Sequence, residues 1–188
     1  SFAALFGTYQ IAANGVAQSI WSLASIMGLA MGPAFTTVIG QCMGARDTEG
    51  AERYFKKLLR VTLLLSILWN ALIFAATPLC MNIYSLSDET KHLVILLVLV
   101  NNVFNAVAFP CAGPLGNGLR AAGDVKFTMI VSIALTVGAR LLFSVVLGLC
   151  FNLQVMGIAW GMSIDLTIRG VIFLRRLKSG KWKNFRVI

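Results

Sequence analysis

Residues 40–60, GQCMGARDTEGAERYFKKLLR, mark an abrupt change in the charge of this chain. The 45 residues before Arg46 contain no Asp, Glu, Lys, Arg or His, whereas residues 46–60 contain eight charged side chains. The charges then stop again until Asp88. This confinement indicates a polar connection between two segments that avoid water.

Further uncharged stretches extend the pattern along the chain. Residues 61–87 and 93–119 carry no charge, and residues 127–164 carry only Arg140. A membrane-spanning helix needs about 20 apolar residues, and a soluble domain of this length could not bury five such segments. A β-barrel would need alternating segments of about 10 residues, and the continuously apolar run at 93–100 does not alternate.

The predicted fold is therefore an all-α polytopic membrane protein with about five transmembrane helices. Residues 1–177 are assigned to the transmembrane unit and residues 178–188 to a basic tail, and residues 1–14 are expected to be the outer end of a truncated segment. The five spans are predicted at residues 15–42, 60–79, 92–112, 127–149 and 153–174.

Basic residues are distributed unequally over the predicted connections. The connection at 43–60 holds five Lys and Arg, that at 113–126 holds two, and the segment from Arg169 holds seven, whereas the alternate connections hold only Lys91. The positive-inside rule places the fourteen basic residues, and with them the C-terminus, in the cytoplasm. A basic tail beside a membrane span favours contact with anionic lipid headgroups over binding of nucleic acid.

Small residues recur at intervals of four in the first predicted span, among them Gly28 and Gly32. This spacing lets the backbones of neighbouring helices approach closely in lipid. Pro33 in the same span and Pro110 at the end of the third each remove a backbone hydrogen bond, which predicts a kink or a helix end. Plain helix packing is the favoured interpretation, and a movable bend is the alternative.

Asparagines inside the third predicted span are candidate functional residues. Asn101 and Asn105 share a helical face, and Asn102 lies about 100° away. Two interpretations explain three such amides equally well. The amides form interhelical hydrogen bonds, worth about 0.6 kcal/mol each, or they form the polar lining of a cavity. Both interpretations stay open.

Three charged residues inside the predicted spans are further candidates, because charges there are costly and usually functional or paired. Asp165 and Arg169 are four residues apart, which predicts a structural ion pair, with a role in a polar pathway as the alternative. Arg140 has no local partner in sequence. We expect it to face protein or water, near Asp165 or near the Asn101 and Asn105 face.

The sequence contains no constellation typical of an enzyme or a metal site. His92 is the single histidine, and none of the four cysteines belongs to a C-x-x-C pair. Nucleophile, base and metal-binding groups do not converge at one depth in the predicted spans. We therefore predict neither enzymatic activity nor a bound metal.

Three stretches resemble motifs of the multidrug and toxin extrusion (MATE) family, a member of the flippase superfamily of exporters. Residues 11–16, IAANGV, resemble the start of the family's eighth helix. The cytoplasmic G-Q-x-x-G-A…A loop of the family is matched by Gly40, Gln41, Gly44, Ala45 and Ala51. The P…L-R-x-x-G-D loop after its tenth helix is matched by Pro114, Leu119, Arg120, Gly123 and Asp124.

The resemblance covers nearly the whole chain and implies most of one six-helix lobe, from the end of helix 7 through helix 12. The family consists of two such lobes that export amphipathic, often cationic compounds by alternating access, driven by Na⁺ or H⁺. The implied partners are the lipid bilayer, a small-molecule substrate and an N-terminal lobe that this chain lacks. The implied location is the inner (cytoplasmic) membrane, as a multi-pass protein.

The same resemblance bears on the coupling ion. Family members that bind their ion in the C-terminal lobe use acidic residues in helices 7 and 10. By the resemblance, residues 92–112 correspond to helix 10, and they contain no Asp or Glu. We expect no cofactor, and an ion site outside this chain. The expected function is multidrug efflux as a cation antiporter, and the alternatives are a flippase for a lipid-linked precursor or a non-transporting assembly subunit.

Overall fold

The computed structural model describes the backbone of residues 8–81, 88–150 and 155–185, and these residues are helical apart from short turns. Side chains are described for residues 11–79, 90–148 and 156–185. The helices are α1 (Thr8–Gly44), α2 (Thr48–Met81), α3 (Asp88–Ala112), α4 (Pro114–Ala121), α5 (Val125–Ile133), α6 (Leu141–Val145) and α7 (Val155–Lys178). Two π-helical segments, Ala134–Arg140 and Val146–Cys150, flank α6, and a 3₁₀ turn, Lys181–Asn184, follows α7.

The described helices provide five candidate membrane spans, as the sequence predicted. They are longer than predicted because polar flanking residues are also helical. Their bounds are Ile11–Gly44, Thr48–Leu79, Thr90–Ala121, Val125–Gly148 and Met156–Lys178.

The connection predicted at 113–126 is mostly helical, since α4 occupies Pro114–Ala121 and α5 begins at Val125. Only Gly113 interrupts the helix after α3, and its neighbours keep the helical hydrogen-bond pattern, with Asn117 N–H donating to the Gly113 carbonyl at 3.1 Å. Pro114 occupies the first turn of α4, where a missing N–H costs nothing. Proline and glycine in this stretch therefore start a new helix, and the actual turn is limited to residues 122–124.

Large apolar side chains project outward from the spans. Leu64, Leu68, Leu72, Leu141 and Leu142 are each more than half exposed within this bundle. Only 6% of the most apolar window of the fourth span is buried by other parts of the chain. Such surfaces are stable in hydrocarbon and not in water, which supports the assignment of these helices to a bilayer.

One end of the bundle is closed by an aromatic cluster to which the C-terminal segment contributes. Gly180, at φ 67°, turns the chain back after α7, so that the Trp182 indole is fully buried against Phe55, with ring centroids 5.0 Å apart. The indole N–H donates to the Leu177 carbonyl at 3.0 Å. Trp182, which lies in the segment predicted as a basic tail, is thus part of the core.

The small-residue stripe of α1 is a close-contact surface in one half only. A Cβ on Gly28 would lie 2.5 Å from the Phe109 ring, and one on Gly32 would lie 2.6 Å from the Asn117 amide nitrogen. At Gly40 and Gly44 no other atom lies within 4 Å of such a Cβ. The helix α1 runs through Pro33 to Gly44, and α3 runs through Pro110 to Ala112.

Candidate functional site

A cluster of buried amides joins α2 to α3 and α1. The side chain of Asn70 is nearly fully buried on α2, and its Oδ1 accepts a hydrogen bond from Asn105 Nδ2 at 3.3 Å. Its own amide nitrogen donates to the carbonyls of Ser66, at 2.8 Å, and Ala24, at 3.3 Å. One side chain thus links three helices inside the membrane.

Several polar atoms of this cluster lack a hydrogen-bond partner among the described residues. They are both polar atoms of Asn102, Oδ1 of Asn105 and Oγ of Ser66, all of them buried. An unsatisfied buried polar group costs about 1–3 kcal/mol. The cluster is therefore able to accept further hydrogen-bonding groups.

A groove of about 210 Å³ between α2 and α3 runs beside two side chains of this cluster, Asn70 and Asn102, and we call it the amide groove. Asn70 and Asn102 are its polar residues, and apolar side chains form the remaining walls. The accessible surface of the groove is almost entirely apolar, as in most small-molecule sites, and the amide of Asn102 lies just beneath it. The lining residues are Ile67, Asn70, Ala71, Phe74, Leu99, Asn102, Val103 and Ala106.

The three predicted asparagines do not act as one face. All three are buried, but Asn102 and Asn105, three residues apart, are the two associated with Asn70, and Asn101 does not line the amide groove. Asn105 forms an interhelical hydrogen bond, as the packing interpretation predicted, and Asn102 lines a groove, as the cavity interpretation predicted. Sequence reasoning missed Asn70, although an asparagine in the middle of the uncharged stretch 61–87 was a usable signal.

The predicted ion pair is present between Asp165 and Arg169. The Arg169 Nη2 atom lies 2.7 and 2.9 Å from the two carboxylate oxygens and donates to Thr136 Oγ1 at 2.7 Å. Asp165 is almost fully buried, and the Nε atom of Arg169 has no partner among the described residues. These contacts fasten α7 to the π-helical part of the fourth span.

Arg140 lies at the end of that π segment and is half-buried. It forms no hydrogen bond and no ion pair with any described residue, because the carboxylate of Asp165 is engaged by Arg169. No acid among the described residues pairs with Arg140, and the expectation that it lies near Asp165 or near the Asn101 and Asn105 face stays a prediction. An unpaired guanidinium in a span requires water, a headgroup or an external acid.

A second groove, of about 350 Å³, lies between α3 and α7 and is almost entirely apolar. It shares Val103 with the amide groove, so the two depressions adjoin on the surface of α3. Its walls suit the hydrophobic part of an amphipathic molecule. They consist of Val103, Phe104, Val107, Ala108, Cys111, Thr167, Gly170, Val171 and Leu174.

The motif residues at the end of α1 belong to a turn. Ala45 N–H donates to the Gln41 carbonyl at 3.0 Å, and Asp47 N–H donates to the Cys42 carbonyl at 2.9 Å. Gly50 N–H donates to the Asp47 carboxylate at 2.7 Å, which caps the start of α2. The motif therefore coincides with the hairpin between the first two spans.

The motif residues after α3 lie in α4 and its following turn. Leu119 is fully buried, Arg120 donates to Asn117 at 3.4 Å, and Gly123 adopts φ 94°. Asp124 is buried and accepts hydrogen bonds from Arg176 on α7 at 2.6 and 3.2 Å. Within the described residues, this motif anchors the turn to the last span.

Nothing in the described part of the chain brings three His, Cys, Asp or Glu side chains together as metal ligands. His92 is exposed near the start of α3.

These observations define a class of protein: a polytopic helical membrane protein with unpaired hydrogen-bonding groups at a groove inside the bilayer. The MatE family model matches residues 1–146, which is more than half of the chain, and the chain belongs to that family.

Two curated relatives have similar sequences over most of the chain. The "Uncharacterized transporter YisQ" of Bacillus subtilis (strain 168) is 25% identical over 196 residues, covering 96% of this chain and 40% of that protein. "Multidrug and toxin extrusion protein 1" of Homo sapiens is 24% identical over 189 residues, covering 96% of this chain and 31% of that protein. The chain therefore spans less than half the length of these relatives. No solved structure matches it.

Proposed function

We propose that this chain forms most of the C-terminal lobe of a secondary active transporter that exports small organic, often cationic compounds as a cation antiporter. Membership of the MatE family and the names of its relatives support the transporter class. The single observation that carries a transport role for these residues is the amide groove beside Asn102, whose two buried polar atoms have no hydrogen-bond partner among the described residues.

In this proposal the amide groove holds the polar part of a substrate. Amide groups both donate and accept hydrogen bonds, so they tolerate varied chemical groups. The adjoining apolar groove between α3 and α7 would hold a hydrophobic part of the same molecule. Such a pair of surfaces favours breadth of substrate over tight binding.

We assign the coupling site for Na⁺ or H⁺ to a part of the protein outside this chain. The middle of α3 carries amides and no carboxylate, and Asp165 is already held by Arg169. A protein of this kind needs no cofactor and is not an enzyme.

A flippase for a lipid-linked precursor is the second candidate, and the observation that favours it is Arg140. Its guanidinium is unpaired among the described residues and could bind a phosphate. A third hypothesis is an assembly subunit without transport activity. It predicts that the chain shows no efflux, whether or not an N-terminal lobe is present.

The transport proposal predicts opposite effects on stability and efflux for Asn102→Leu. Removing two unsatisfied polar atoms should raise thermal stability, because leucine has a similar volume and needs no partner. Efflux should fall at least fivefold if Asn102 binds substrate. Drug efflux at matched expression in the full-length polypeptide, together with melting temperature, measures both effects.

Asn101→Leu is the matched control, since Asn101 is equally buried but lies outside the amide groove. Unchanged efflux with Asn102→Leu would contradict a substrate role. The same efflux assay with Arg140→Ala and Arg140→Lys tests whether Arg140 takes part in transport. Loss with alanine and retention with lysine indicate a required positive charge, and wild-type efflux in both variants excludes Arg140 from the pathway.

We also propose that the protein lies in the inner (cytoplasmic) membrane with the α1–α2 hairpin, the α4 turn and the C-terminus in the cytoplasm. The unequal distribution of basic residues supports this orientation. In a cysteine-free background, an impermeant thiol reagent applied to intact cells should label a cysteine at Ser87 and not one at Thr48. Ready labelling at Thr48 with none at Ser87 would reverse the topology.

A further inference from the structure

The first turns of α2 form a polar depression of about 420 Å³, which we call the basic groove. It is lined by Asp47, Gly50, Arg53, Tyr54 and Lys57. Arg53 and Lys57 are one helical turn apart and both exposed, and about 45% of the Tyr54 surface is accessible between them. The groove therefore presents two cations and an aromatic ring on one face of α2.

The two cations of the basic groove have no ion-pair partner within the described part of the chain. Arg53 and Lys57 form no hydrogen bond or ion pair there, whereas the acid beside them, Glu52, is held by Lys56 at 2.6 Å and by Lys183 at 2.5 Å. The Asp47 carboxylate accepts the Gly50 N–H and faces the positive end of the helix. Residues 46–60 carry five basic and three acidic side chains, so this end of α2 keeps a net positive charge even with Glu49 exposed one turn before Arg53.

The length of the second span fixes the depth of the groove. A helix of 32 residues, Thr48–Leu79, is about 48 Å long at 1.5 Å per residue, and the hydrocarbon core of a bilayer is only about 30 Å thick. The uncharged part begins at Val61, which is one turn after Lys57 and two turns after Arg53. Both cations therefore lie about 6–12 Å outside the hydrocarbon, at the level of the headgroups.

An apolar stripe continues from the groove toward the middle of the membrane. Val61, Leu64, Leu65 and Leu68 are exposed on the same side of α2 as Tyr54 and Lys57, at helical spacing. A molecule with an anionic head at the groove and a hydrocarbon chain along this stripe would satisfy both surfaces.

We propose that the basic groove is a binding site for an anionic phospholipid. Its phosphate would contact Arg53 and Lys57, with the Arg53 guanidinium able to donate two parallel hydrogen bonds. Tyr54 would lie at the interface between headgroup and chain, where aromatic rings are enriched in membrane proteins. One acyl chain would follow Val61, Leu64 and Leu68. The proposal requires only that α2 spans a bilayer, and it is independent of what the protein transports.

The test is lipid retention by the purified full chain in detergent, measured by native mass spectrometry and by melting temperature. Added phosphatidylglycerol should remain bound and raise the melting temperature, whereas phosphatidylcholine should do neither. Arg53→Gln with Lys57→Gln should weaken phosphatidylglycerol retention at least tenfold. The matched control is Arg175→Gln with Lys181→Gln, which removes one exposed Arg and one exposed Lys at the same end of the bundle and should retain the lipid.

Each other result overturns the proposal. Equal loss in the control pair would indicate diffuse attraction, and equal retention of phosphatidylcholine would indicate apolar contact alone. Stabilisation by inorganic phosphate to the same extent would indicate a site for a soluble phosphate compound. If the double variant does not fold, the salt dependence of the wild-type protein provides the test. Retention of phosphatidylglycerol should fall as NaCl is raised from about 50 to about 500 mM, and retention that does not fall contradicts an electrostatic site.

Discussion

Trp182→Ala is expected to lower the free energy of unfolding by about 3–5 kcal/mol, the range for truncating a fully buried aromatic side chain. The indole is inaccessible to solvent, packs edge-on against Phe55 and donates its N–H to the Leu177 carbonyl. Phe55 in turn contacts Phe35, with ring centroids 6.3 Å apart. Removing Trp182 therefore opens a cavity between α1, α2 and α7, which unfolding by denaturant in detergent micelles would measure.

Two further variants separate the contributions to this effect. Trp182→Phe keeps an aromatic ring beside Phe55 and loses the hydrogen bond, so it should cost about 1 kcal/mol for that bond plus a small packing loss. Lys181→Ala, an exposed neighbour, should stay within about 0.5 kcal/mol of wild type. A Trp182→Ala protein as stable as the Lys181→Ala protein would show that the segment after α7 is not part of the core.

The spans could be predicted from sequence because one physical requirement dominates them. A charged side chain is costly in hydrocarbon, so the uncharged stretches between Arg60 and Asp88 and between His92 and Arg120 define two helices without any knowledge of packing. The helix ends were less predictable, since residues such as Glu52 and Lys56 extend α2 beyond the membrane by pairing with each other.

Features that depend on contacts between distant residues could not be predicted in this way. Trp182 follows several basic residues and looks like part of a polar tail, and only the turn at Gly180 brings it against Phe55. The amide groove likewise depends on Asn70 and Asn102 meeting from different helices. The π-helical segments of the fourth span have no sequence signal that we recognise, although such segments are frequent at functional sites.

A buried ion pair between Asp124 and Arg176 holds the turn after α4 against α7. The Arg176 Nε lies 2.6 Å from the carboxylate, and the guanidinium stacks 4.4 Å from the centre of the Phe127 ring. The Asp124 side chain is 2% exposed and that of Arg176 is 17% exposed. Both charges have therefore lost most of their hydration and depend on each other for stabilisation.

Breaking this pair from one side should cost about 3–5 kcal/mol, because the remaining charge stays buried without its partner. We expect a loss of this size for Arg176→Met. The double variant Asp124→Asn with Arg176→Met should recover most of it, since replacing both members of a buried pair is often neutral. Glu52→Gln is the control, because Glu52 belongs to a partly exposed pair with Lys183, and such solvent-screened pairs contribute little to stability. Additive losses in the double variant, measured by the same denaturant titrations, would show that Asp124 and Arg176 are not coupled and that the family motif acts at this turn by some other means.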